Sequence, residues 1–163
     1  MLVEHGQQSE FISFAQALKN DIDVFLKEKI GVSAFTADDK EKQLIRPMLV
    51  AYGMTMRNKD PDYWIKLVDP KIRCALDQKK SVIITDARFS NEIKFVKTYP
   101  KSLTVHISRK LPDGNILQPP NEEEAAHDPI CHGLTDVALT WNTFEKDSNA
   151  YTEFIRDSFL CFP

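Results

Sequence analysis

Residues 81–85 read Ser-Val-Ile-Ile-Thr, and this run constrains the fold more than any other segment. A short, unbroken apolar run rich in β-branched residues, without polar alternation, fits a strand buried on both faces. Asp86 follows at once, then Ala87, Arg88, Phe89, Ser90, Asn91 and Glu92. Strands of that kind belong to sheets covered by helices, and the flanking sequence has helical spacing. Positions 18, 22, 25, 26 and 30 are apolar, as are 45, 48, 49, 52 and 56. Strands are expected at 11–16, 81–85, 103–107 and 137–141. Helices are expected at 18–30, 43–57, 91–98 and 147–160, with one more after Asp60-Pro61-Asp62 that kinks or restarts at Pro70. Gly31 ends the first helix. Residues 33–42 read as a loop, and 109–135 as a long acidic, proline-bearing, lid-like loop. Alternating strands and helices imply an α/β fold with a mainly parallel sheet, in one domain covering 1–163.

Composition narrows the function classes. The chain has 163 residues, 28% of them charged, and a net charge of −3. That balance gives no basic patch for nucleic acid. No apolar run approaches the roughly 20 residues that cross a bilayer. The start, MLVEHGQQSE, has no basic segment followed by an apolar one, so no secretory leader is expected and the expected location is cytoplasmic. Cys74, Cys131 and Cys161 match neither a zinc pattern nor a CxxC pair. His127 and His132 flank Cys131, but no second ligand cluster completes a metal site.

In α/β sheets, ligands bind beyond the carboxyl ends of the strands. A carboxylate at Asp86 is placed to hold a hydrated Mg²⁺ beside nucleotide phosphates, and Arg88 to offer a planar donor pair to a phosphate. The alternative from spacing alone is that Asp86 caps the next helix and Arg88 pairs with it. A second basic group, Arg46, Arg57 and Lys59, surrounds one helix and its end. It suits a dianionic phosphate, or else is a solvated face.

Four motifs in order carry a resemblance: Phe14-Ala15-x-x-Leu18-Lys19; Arg46-x-x-Leu49-x-x-x-Gly53-x-Thr55; Asp60-Pro61-x-Tyr63-Trp64-x-Lys66; and Ile84-x-Asp86-x-Arg88-Phe89-x-Asn91-Glu92. Taken together they resemble the deoxynucleoside monophosphate kinases of phages and bacteria, over nearly all of 11–145. The resemblance implies a three-layer P-loop-kinase fold and, in the intact family, phosphoryl transfer from ATP to a deoxynucleoside monophosphate with Mg²⁺. It implies that Asp86 lies near Mg²⁺–ATP, and that Arg88 and Arg46 hold the acceptor phosphate or the transferring group. Phe14 and Lys19 would line the monophosphate pocket. Arg57 belongs to the basic group around it. Tyr63 and Trp64 would lie near the base, core packing being the favoured role for Trp64. Arg109 would be a lid arginine, and Asn142 would contact adenine or merely end its strand. Animal phosphomevalonate kinases share the fold and a similar motif order.

A phosphate-binding loop of the form GxxxxGK[ST] does not occur. None of the five glycines, at 6, 31, 53, 114 and 133, is followed by lysine. The first eight residues read as the last turn of the helix that follows such a loop. The expectation is therefore a kinase-like sheet missing its first, central strand, either truncated or inactive as given. Three alternatives are a module that binds a nucleoside monophosphate without transferring phosphate, a protein-interaction module, and a kinase for another phosphorylated small molecule. A homodimer or a partner chain supplying the missing strand is a further expectation.

Overall fold

The structure is a computed structural model, and it describes residues 8–142. The expected helix at 147–160, the expected helical turn at 1–8 (all but Gln8) and Cys161 lie outside the described residues. Within them the chain is mixed α/β, with five helices and two small parallel sheets. Backbone contacts divide it into two units, Met1–Tyr99 and Pro100–Pro163.

In the first unit, β1 (Ser9–Ile12) pairs in parallel with β2 (Ser81–Ile84), Ser9 opposite Ser81 and Ile12 opposite Ile84. Three helices lie between them in sequence: α1 (Phe14–Ile30), α2 (Asp39–Lys59) and α3 (Tyr63–Asp77). A short α4 (Ser90–Val96) follows β2. The expected strand at 11–16 stops at Ile12 because the Ser13 hydroxyl accepts the Gln16 N–H and starts α1. Gly31 ends α1 as expected, at φ 75° with its N–H on the Lys27 carbonyl. Helix α2 begins earlier than its apolar periodicity suggests. The Asp38 carboxylate accepts the N–H groups of Lys40 and Glu41, recruiting polar residues read as loop. Helix α3 is a single helix through Pro70, with no restart. Lys66, whose carbonyl loses its partner there, is exposed, so water can serve it.

Strand faces alternate, so Val82 and Ile84 share a face with Ile12. That face packs on a core built from Phe14, Ala17, Trp64, Ile65, Val68 and Ile72. The other face carries Phe11, which is 68% exposed. Strand β2 is therefore half-buried along its length, not buried on both faces as its sequence suggests. A second cluster, of Ile22, Leu26, Val32, Ala34 and Ile45, lies between α1 and α2, and Leu18 and Tyr52 touch both clusters. Leu26 and Val68 are completely buried, each contributing about 1.5–3 kcal/mol by leaving water.

In the second unit, β3 (Val105–Lys110) pairs in parallel with β4 (Val137–Asn142), Val105 opposite Val137. The expected long loop at 109–135 is a correction. Its first two residues extend β3, and α5 (Glu122–Leu134) fills its second half. Asn121 caps α5 by accepting the Glu124 N–H, and three glutamates occupy the first turn, where the helix dipole favours them. Pro129 inside the helix hid this pattern. The Asp136 carboxylate accepts the N–H and hydroxyl of Thr104, joining the starts of the two strands.

Candidate functional site

The site is assembled at the carboxyl ends of β1 and β2. Asp86 lies two residues beyond β2, and the N-terminus of α1 lies just beyond β1. The four leading N–H groups of a helix have no partner inside it, and here the Asp86 carboxylate takes two of them. Its Oδ1 accepts the Phe14 N–H at 3.1 Å, and its Oδ2 accepts the Ala15 N–H and the Ser13 hydroxyl, both at 2.7 Å. The helix dipole adds to this preference for an anion. So Asp86 does cap a helix, but α1 rather than the helix that follows it.

Glu92 fixes the loop that carries Asp86 and Arg88. Its side chain is 2% exposed. Oε2 accepts the N–H groups of Arg88 and Phe89 at 2.8 and 3.1 Å, and Oε1 accepts Nη2 of Arg57 at 2.8 Å. The Arg57 guanidinium also stacks on Phe89, 3.7 Å from the ring centroid. Burial pushes the Glu92 carboxyl above its ordinary value, opposed by the Arg88 amide and by Arg57. This arrangement spends Arg57 on Glu92, so it is not a spare cation. Arg88 itself is exposed.

The other expected residues divide by their surroundings. Phe14 is 3% exposed and Trp64 is 2% exposed, both in the core. It is therefore the Phe14 backbone, not its ring, that reaches Asp86. The Trp64 indole donates to the Gly53 carbonyl at 3.2 Å. Tyr63 stands edge-on to Trp64, and its hydroxyl shares Asp21 Oδ2 with Tyr52, at 2.9 and 2.7 Å. Both phenols are held above their ordinary value, by burial first for Tyr52 and by the Asp21 hydrogen bond first for Tyr63. Lys19 is half-buried, its ammonium 5.8 Å from the Phe35 ring centroid. Arg46 is exposed on α2, next to buried Ile45. Asn91 donates to the Pro61 carbonyl and to Asp62, joining α4 to the start of α3.

In the second unit Arg109 lies within β3, opposite Trp141, and not on a lid. Asn142 is the last residue of β4, paired in register with Lys110. Cys74 is exposed and Cys131 is buried. Among the described residues no group of three or more His, Cys, Asp or Glu is arranged to hold a metal, and no helix is long and apolar enough to cross a membrane.

Sequence reasoning missed Ser13, Asp21 and the buried role of Glu92. Ser13 had a signal: serine three residues before glutamine, at the edge of an apolar run, is a helix-start pattern. Asp21 had none, because its partners come from two other helices. In comparisons with known proteins, no family model, no curated protein and no solved structure matches the chain.

Proposed function

We propose that this chain is a deoxynucleoside monophosphate kinase-like protein that binds a nucleoside monophosphate and, as given, does not transfer phosphate by itself. The observation that carries the reading is that the four motifs behind the resemblance are joined to one another. The first meets the fourth through Phe14 and Asp86, the second meets the third through Gly53 and Trp64, and the third meets the fourth through Pro61 and Asn91. The strand pairing supports the reading as well: within each unit the described strands pair in parallel, as in a kinase-like sheet.

On this reading the acceptor phosphate lies beyond β1 and β2, near the start of α1. Arg88, Arg46 and Lys19 supply the positive charge. Catalysis in the intact family would be positioning and charge neutralisation. The residues present supply only part of what magnesium and ATP need. Both Asp86 oxygens already accept hydrogen bonds from the α1 end, and no lysine follows a glycine to reach the β- and γ-phosphates.

Calorimetry of the full chain with dGMP, dTMP and dCMP tests the binding. One of the three should give a saturable heat that Arg88→Ala weakens, and flat titrations with folded protein overturn the reading. A coupled ADP-release assay with each acceptor should stay at background. Turnover on the order of 1 per second, ordinary for kinases, would overturn the inactive assignment.

A further inference from the structure

We infer that the open edge of β1 is a docking groove for an acidic, extended peptide segment, which adds to the β1–β2 sheet as a third strand. Strand β1 has β2 on one side only, and among the described residues no strand pairs with its other edge. A groove of about 520 Å³ runs along that edge. It is lined by Glu10 to Ser13 on one side and by α3 on the other, through Lys71, Cys74 and Ala75, with Gln78 just past the helix. No β2 residue lines it, so it follows the side that β2 leaves open.

The backbone is oriented for such an addition. The Ser81 N–H donates to the Gln8 carbonyl at 2.9 Å, which turns Gln8, Glu10 and Ile12 toward β2. Alternation then leaves the N–H and C=O of Phe11 facing the groove. An unpaired strand edge beside a helix is the arrangement in which main-chain hydrogen bonds give affinity and alternate side chains give specificity.

Side-chain chemistry selects the occupant. On the α3 face, Lys71 and Lys80 line the groove with one carboxylate, Glu10, which is paired to Lys80 at 3.0 Å. That leaves an excess of one positive charge there. The opposite face presents Phe11, exposed over two thirds of its surface. A strand with carboxylates on one face and apolar side chains on the other matches both, so the partner is an extended segment alternating acidic and β-branched residues.

The probe is a capped octapeptide of alternating glutamate and valine, titrated into the isotope-labelled full chain and followed by backbone amide shifts. Shifts should centre on Glu10 to Ser13 and on Lys71. The same peptide with lysine for glutamate should bind at least about tenfold more weakly, and Lys71→Glu should reverse that order. Two N-methylated versions, blocking odd or even amides, test the backbone pairing without altering the protein. One should lose about tenfold or more and the other little, because only alternate amides face the neighbouring strand. Several outcomes overturn the inference: no shift at about 1 mM peptide, equal binding of the lysine peptide, or equal binding of both methylated versions. Concentration-dependent dimerisation that protects the Phe11 amide without peptide would assign the edge to a second copy, and would overturn it too.

Discussion

Asp86 caps a helix that begins 72 residues earlier in the chain, its Oδ2 2.7 Å from the hydroxyl of Ser13. The fourth motif thereby holds the start of α1 as well as the end of β2. Asp86→Ala removes the acceptor from two backbone amides and a hydroxyl, and should cost about 1–2 kcal/mol. Asp86→Asn keeps one acceptor oxygen and should cost less. Urea denaturation at neutral pH reads both, and an unchanged midpoint for Asp86→Ala would show that the cap contributes nothing.

Glu92 and Arg57 form the most buried ion pair described. Removing one member leaves the other charged and poorly solvated, a loss of about 3–5 kcal/mol when the site stays dry. Glu92→Ala should approach that range, because the Arg88 and Phe89 amides lose their acceptor as well. Arg57→Ala should lie at or below its lower end, since Arg57 is 20% exposed. A double variant with a loss well below the sum of the singles would show the coupling.

Gly53 allows α1 and α2 to approach. A Cβ there would stand 2.7 Å from Leu18 Cδ1. Glycine to alanine inside a helix ordinarily gains up to about 1 kcal/mol. At this position the crowding of Leu18, which touches both core clusters, should cancel the gain and leave a loss of up to about 2 kcal/mol. Thermal melts of Gly53→Ala test this, and a clear rise in melting temperature would contradict it.

Acid should loosen the turn after α1. Hydrogen bonds from Lys27, then from the Ser33 hydroxyl and the Ala34 amide, hold the Asp23 carboxyl below its ordinary value of 3.8. A depressed carboxylate pKa contributes stability above the unfolded value, and that contribution is lost as pH falls through the folded one. Stability should therefore fall below about pH 4, and Asp23→Asn should flatten this part of the profile. Denaturant titrations from about pH 2 to 6 would reveal it.

Much of the first unit is legible in its sequence. The apolar spacing of 18–30, the Gly31 stop and the run at 81–84 each depend on neighbours a few residues away. What was not legible depends on distant partners. Nothing near Asp86 says that its carboxylate will reach Ser13, and nothing near Arg57 says that Glu92 will consume its charge. Core packing is already the favoured reading for Trp64, but Phe14 reads as pocket lining until the helices are packed. Helix α5 was missed for a local reason: Pro129 and the acidic first turn resemble loop composition, although acidic first turns are what helix dipoles favour.

The pairing of Ser9 with Ser81 sets an order of events. Helices α1, α2 and α3 can form from local contacts, but the β1–β2 ladder must close a loop containing all three. Loop closure of that length has to precede any reward from the ladder. The strands should thus dock late in folding, onto helices already gathered around Trp64. Refolding would then be paced by the search for that one long-range register.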